Sequence, residues 1–192
     1  MSHSDPRSVF EIEASAIRAL GEHLDERFWQ VVDLIQNCTG RIVWFGVGKS
    51  GHIARKLAAT MASVGIHAFF LHAGECHHGD IGSLAPDDVM IAVSYGGESD
   101  EVISMLPLVK QIGATLVALT GKPDSTLGRS ADIVLDIGPD LGQGLAGWTR
   151  VSSLAASLAM GDALAIAVGT ARGITRQDYT RSHPGGSFGK GH

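Results

Sequence analysis

Three short segments of the chain concentrate hydroxyl, glycine, lysine, carboxylate and imidazole groups, and each follows an apolar run. The first is Gly46-Val47-Gly48-Lys49-Ser50-Gly51-His52. Its glycines let a ligand approach the backbone, and Ser50 opens a predicted helix whose unpaired N–H groups attract anions. The ATP-binding pattern needs four residues between its first glycine and Gly-Lys-Ser; here only Val47 separates Gly46 from Gly48, which disfavours a nucleotide. The competing reading is a tight turn with a solvated Lys49. The second segment is Ser94-Tyr95-Gly96-Gly97-Glu98-Ser99-Asp100-Glu101. Ser94, Gly97 and Ser99 repeat the hydroxyl-and-glycine pattern, and two such turns at neighbouring strand ends can close around one phosphate without arginine. An N-cap by Ser99, with Glu98 and Glu101 drawn to the positive helix end, accounts for one serine and one glutamate but not for the shared pattern. The third segment is Gly74-Glu75-Cys76-His77-His78-Gly79-Asp80. Structural zinc sites use a second ligand pair downstream and none follows here, so no structural metal is expected. His78 with Asp80 is instead expected as a pair in a site wall or a helix-start network.

These residues need elements to hold them. Short apolar, β-branched runs at 41–46, 67–71, 88–94, 115–120 and 133–137 read as strands buried on both faces. Helical spacing fills 50–64, 101–112, 125–130 and an Ala-rich stretch at 151–172, and a lead-in over about 8–38 reads as one broken helix or two, interrupted at Gly21. Strands alternating with helices predict an α/β fold with a doubly wound, five-stranded parallel sheet flanked by helices. In such a sheet a ligand sits at the carboxyl ends of the strands, where the first two polar segments fall. From Tyr179 onward the chain reads as a Gly- and Pro-rich tail.

Composition narrows the function classes. The chain has 192 residues, the length of one domain, and 25 of them are glycine, well above the usual ~7% and too many for a helical bundle. No internal repeat, linker or shift in composition marks a second domain. A formal net charge of −5 with no basic stripe argues against nucleic acid and favours a small-molecule partner. The apolar runs are too short to predict a membrane span. Two cysteines and a polar start from Met1 to Arg7 fit a cytoplasmic protein.

Five blocks in order, G-V-G-K-S-G-H-I-A-R-K (46–56), H-A-G-E-C-H-H-G-D-I-G (72–82), S-Y-G-G-E-S-D-E (94–101), M-G-D-A-L-A (160–165) and S-H-P-G-G-S-F-G (182–189), resemble the sugar isomerase (SIS) domain of D-arabinose 5-phosphate isomerases over nearly the whole chain. The resemblance implies a phosphosugar ligand and homotetramers in which a C-terminal histidine reaches a neighbour's site. It also implies that Ser50, Ser94 and Ser99 hold the phosphate, with Gly48, Gly97, Glu98 and His78 beside the substrate. Lys49, Glu101 and His183 match positions implicated in catalysis. Isomerisation through an enediol needs a base, a ring-opening group and a donor for the developing oxyanion. Glu101, His183 and Lys49 have the residue types for those roles in that order.

The chain also departs from the family. Gly96 stands where the family usually has serine. After the fifth strand the family's Glu-x-Cys-Pro stretch has no counterpart in 138–150, where Asp140 is a shorter stand-in. Ser152 and Ser153 can replace lost hydroxyls in binding substrate, and Arg150 offers an anion a bidentate partner. The sequence stops after the His-Pro-Gly-Gly block, where longer relatives continue into paired CBS repeats; residues 1–192 are read as a single SIS domain, either a single-domain form or one part of a longer chain. Two alternatives stand beside the pentose reading: an isomerase of another sugar phosphate, such as a 6-phospho-3-hexuloisomerase or one acting on four carbons, and a non-catalytic module that senses a sugar phosphate.

Overall fold

The computed structural model describes residues 6–138 and 151–183. Among them a five-stranded parallel sheet has the order β2-β1-β3-β4-β5, built from β1 (Ile42–Gly46), β2 (Ala68–His72), β3 (Val89–Val93), β4 (Thr115–Thr120) and β5 (Ile133–Asp136). Each strand lies within one residue of its predicted bounds.

The strands read as unbroken apolar runs because helices cover both faces. Ile42 and Trp44 of β1, Val89, Ile91 and Val93 of β3, and Val117 and Leu119 of β4 face one layer, formed by α1 (Arg7–Glu22), α2 (Glu26–Asn37), α3 (Gly48–Ser63) and α8 (Val151–Ala171). Val43, Phe45, Met90, Ala92, Leu116 and Ala118 face the other, formed by α4 (Ala73–Cys76), α5 (Asp100–Ile103), α6 (Leu106–Ile112) and α7 (Thr126–Ser130). Trp44 and Phe45 are fully buried, each worth about 1.5–3 kcal/mol of transfer free energy. The Trp44 indole keeps a donor–acceptor contact, Nε1 to Met61 Sδ at 3.3 Å.

Four details depart from expectation, each for a local reason. The lead-in forms two helices, but the break falls after Glu22 rather than at Gly21, because Asp25 starts α2 by accepting from Arg27 N at 2.9 Å. The stretch 101–112 divides into α5 and α6, and Pro107 sits in the first turn of α6, where its missing N–H does least harm. A further helix, α9 (Arg176–Ser182), occupies the start of the expected tail; a reciprocal cap joins Thr175 and Asp178 at its head. Finally, Ser152–Ala171 of α8 is long and apolar enough on average to cross a membrane, although interspersed Ser, Gly and Asp162 break up any continuous apolar run. It packs against α1, α2 and α3, with Ala156, Leu164, Ala165 and Val168 fully buried, so one side of it serves the core while Ile166 stays exposed.

At the amino-terminal edge of the sheet, one buried carboxylate ties β1 to β3. Asp88 accepts from Arg41 N at 2.7 Å, from an Arg41 guanidinium nitrogen at 2.9 Å and from Ala85 N at 2.9 Å. Burial alone would raise its pKa, but the Arg41 guanidinium and the two backbone N–H groups outweigh that and hold the carboxyl below the usual range. Its stabilisation is therefore complete above about pH 4, the unfolded value, and is lost as pH falls through the lower folded value. Asp88→Asn is expected to lower stability at pH 7 by about 2 kcal/mol. In denaturant titrations the gap from the parent should narrow on acidification; an equal gap at pH 7 and pH 3 would contradict the clamp.

Candidate functional site

The strand order decides where a site can form. From β1 the chain passes through α3 to the edge strand β2, then returns across β1 to enter β3. The connection leaving β1 turns to one face of the sheet and that leaving β3 to the other, so a crevice opens between their carboxyl ends. A cavity of about 350 Å³ lies there, lined by Lys49, Ser50, Ser94, Ser99 and Ser153, with Val47, Tyr95, Gly96 and Leu154 completing the wall. That volume falls at the small end of ligand sites, ~300–1,000 Å³.

The polar groups of this wall are aimed by the local chain. Gly46 ends β1 against Val93 O and Gly51; a Cβ on Gly46 would come 3.2 Å from that carbonyl, so glycine lets α3 begin close to the sheet. Helix α3 starts at Gly48, two residues before the predicted start, and Val47 at its N-cap has no side-chain acceptor. Its first N–H groups therefore lack a side-chain cap, with the positive end of the macrodipole beside them. Across the crevice Ser99 occupies the N-cap of α5, yet its side chain makes no capping bond. Its hydroxyl instead lies 3.4 Å from Ser94 Oγ, which accepts from Gly97 N at 3.2 Å. The capping explanation of Ser99 thus fails.

The second turn is braced from below by the β4–α7 connection. Tyr95 O accepts from Gly121 N and Thr120 Oγ1, both at 3.0 Å, and Gly97 O accepts from Leu127 N at 3.1 Å. The Glu98 carboxylate accepts from Thr126 N at 2.7 Å. Thr126, through its N–H and then its hydroxyl, holds the Glu98 carboxyl below its ordinary range. Glu98 therefore caps α7 and fixes the turn, and is not in the cavity wall. Gly97 has φ +67°, and a Cβ there would overlap the Ser125 side chain, so no other residue fits without moving the turn.

Comparison with known proteins gives this geometry a lineage. The SIS domain family model matches residues 34–167, which carry both turns and all five strands. The chain belongs to the SIS domain family. It is 43% identical over 184 residues to the arabinose 5-phosphate isomerase KdsD of Salmonella typhi, covering 96% of this chain and 56% of that protein. It is 40% identical over 188 residues to KdsD of Pseudomonas aeruginosa PAO1, covering 98% and 57%. The chain thus spans little more than half the length of these relatives. Among solved structures, that of c3406 from E. coli CFT073 in complex with arabinose 5-phosphate superimposes with a TM-score of 0.87 at 34% identity, covering 94% of this chain and 100% of that one.

Within this SIS domain the predicted residues distribute unevenly. Lys49, Ser50, Ser94, Ser99 and Ser153 share the cavity. Gly48 is exposed at the head of α3, and Ser152 is fully buried while its neighbour Ser153 forms the wall. Glu101 is exposed on the first turn of α5, two residues beyond Ser99. His78 is exposed in the β2–β3 connection, and its side chain is not paired with Asp80 as expected; among the described residues, neither side chain bonds the other. Cys76 faces the core while His77 Nε2 meets Ser104 Oγ at 3.0 Å, so the Cys-His-His run is split in direction. His183 ends α9, where Ser182 Oγ donates to Ser63 O at 2.8 Å. That anchors it at the far end of α3, about 20 Å along the helix from Ser50 at ~1.5 Å per residue. Asp140, Arg150 and the Pro184–His192 tail lie outside the described residues. Tyr95 and Leu154 enter the wall without having been singled out; for Tyr95 the signal was adjacency to Ser94 and Gly96.

A larger depression of about 700 Å³ lies between α6 and α7, reaching Thr115 and Leu116. It opens at the amino-terminal start of β4, the wrong end for a ligand in this class of sheet. Gly97→Ala tests the braced turn: the left-handed backbone and the overlap with Ser125 should together cost roughly 2–3 kcal/mol of stability. Chemical denaturation checks this, and an unchanged midpoint would show that the turn is not held against the β4–α7 connection.

Proposed function

We propose that this SIS domain protein is an aldose–ketose isomerase that interconverts D-arabinose 5-phosphate and D-ribulose 5-phosphate through a cis-enediol, without a cofactor. The observation that carries the reading is the cavity in which Ser50, Ser94 and Ser99 meet Lys49 at the carboxyl ends of β1 and β3. Hydroxyls and helix N–H groups there suit a phosphate dianion, and the KdsD relatives, with the solved neighbour bound to arabinose 5-phosphate, point to a five-carbon chain.

In this mechanism the phosphate sits against Ser50, Ser94, Ser99 and the head of α3, with Ser153 contributing a further hydroxyl. The carbon chain extends toward Lys49 and Glu101. Glu101 removes the proton from C2 of the open-chain aldose, and Lys49 stabilises the charge that develops on O1. Lys49 gives O1 a proton to complete the enediol, which collapses when Glu101 returns its proton to C1 and the C2 hydroxyl passes its own to the Lys49 amine, leaving the ketose. A carboxylate and an ammonium suffice, because the proton moves between adjacent carbons and no electron leaves the substrate.

His183 opens the sugar ring from a second copy of the chain. Its position beside the far end of α3 supports this, since one protomer cannot bring its own His183 to its own Lys49. With Nδ1 donating to Tyr179 O at 2.9 Å and the ring stacked on Tyr179, Nε2 carries the lone pair needed for proton transfer. Exposed apolar side chains on the helical face, Phe10 and Ile17 of α1, Trp29 of α2 and Ile166 of α8, offer the surface for a homotetramer. The free thiols Cys38 and Cys76, both shifted upward by burial, suit a reducing, cytoplasmic setting.

Two experiments test these assignments. Aldose and ketose phosphates of four to six carbons are incubated with the protein in the absence of metal. Turnover should be confined to arabinose 5-phosphate and ribulose 5-phosphate, and Glu101→Gln should lower it at least ~100-fold while retaining substrate binding. Binding without turnover in the parent would make the protein a sensor instead. For the shared site, His183→Ala and Lys49→Ala are co-expressed: each alone is expected to be inactive, while mixed oligomers recover part of the parent activity. No recovery, with mixed oligomers verified by mass, would refute the trans arrangement.

A further inference from the structure

Helix α5 carries Glu101, yet it is a single turn of four residues. It cannot run on into α6, because Pro107, four residues beyond Ile103, has no N–H to give to the Ile103 carbonyl. An isolated turn fixes several dihedrals for very few hydrogen bonds, so its orientation is set by tertiary contacts. Val102 fixes its depth, being fully buried in the layer below the sheet. Depth alone leaves the turn free to roll about that side chain.

A second tie comes from the third polar segment. Ser104, directly after α5, places Oγ 3.0 Å from His77 Nε2 and 3.3 Å from the carbonyl oxygen of Glu101 itself. We propose that His77 is a positioning residue for Glu101, acting through Ser104 to hold the α5 turn in the orientation that presents the carboxylate to the substrate carbon. The inference rests on Glu101 being the base. Three groups share two protons in the arrangement that satisfies all of them: His77 Nε2–H donates to Ser104 Oγ, whose own proton goes to Glu101 O. That arrangement fixes the Nε2–H tautomer of a neutral His77 and survives its protonation, because an imidazolium also donates from Nε2.

The residues that mount His77 are packed into the core. Cys76, its neighbour, is buried on α4, and burial followed by the charge of Asp80 pushes its thiol up to about 11, so it remains a protonated packing group. Ala73 at the head of α4 is also fully buried. His77 itself is absent from the wall of the serine-lined cavity, so its effect should fall on the proton transfer and not on phosphate binding.

The test is steady-state kinetics on the full chain with arabinose 5-phosphate, with inorganic phosphate as a competitive probe of the serine-lined cavity. His77→Ala and Ser104→Ala should each lower kcat about five- to tenfold, the scale of one lost hydrogen bond, with KM and the phosphate inhibition constant changed less than about twofold. The double variant should be no slower than either single one, because both break the same chain. His77→Gln, whose amide still donates, should recover most of kcat. Unchanged kcat in His77→Ala, parallel losses of kcat and phosphate inhibition, additive effects, or failure of Gln to rescue would each overturn the inference. Glu101→Gln separates the levels. If it is slow while His77→Ala is normal, the positioning role falls alone; if it turns over normally, both fall.

Discussion

The sheet has two apolar faces, and one run of helices can cover only one of them. The chain covers the second by reversing its direction of winding after β2, and that reversal separates the carboxyl ends of β1 and β3. The crevice is a by-product of burying both faces, not an addition to the fold. The chemistry can be read from what each departing strand places at its end. β1 leads into the uncapped head of α3; β3 leads into a hydroxyl turn that must be propped from outside, since the helix after it is too short to support it.

That asymmetry explains which residues brace the site. The α3 side is stiffened by its own helix, sixteen residues long and packed on β1 and β2. The β3 side borrows rigidity from its neighbours. Thr120 and Gly121 hold Tyr95 O, the amide of Leu127 holds Gly97 O, and Thr126 holds Glu98, all from the β4–α7 connection. Glu98 shows how a motif residue adjacent to the cavity can serve it without facing it. Its carboxylate is used up on the amide of Thr126, and the benefit appears as the fixed separation of Ser94 and Ser99.

The legibility of the sequence follows the same division. Strands buried on both faces leave continuous β-branched runs, so all five could be placed to within a residue, and with them the two turns that share the cavity. Interactions between elements leave no such trace. Nothing local to Glu98 says that Thr126 will lie beside it, and nothing in Cys76-His77-His78 says that three adjacent side chains will point to the core, to Ser104 and to solvent. The break between α5 and α6 was readable from Pro107, and the cap of α9 from Thr175 and Asp178. Both were overridden by the stronger apolar periodicity on one side and by the glycines of the tail on the other. His183 was legible as a residue type but not as a position, because its distance from Ser50 is set by the length of α3 and by a hydrogen bond from Ser182 to the last residue of that helix.

The length of α3 also limits what one protomer can do. The serine-lined cavity at one end of the helix and the His183 imidazole beyond the other are separated by about 20 Å of helix. No rotamer of His183 closes that gap, and moving α9 would break the tie of Ser182 to Ser63. For the serine-lined cavity and His183 to act on one sugar, the head of α3 in one copy would have to be paired with the tail of α3 in another. The apolar residues left exposed on α1, α2 and α8 are surface of the kind that an assembly of copies buries, and they lie on the helical layer that contains α3.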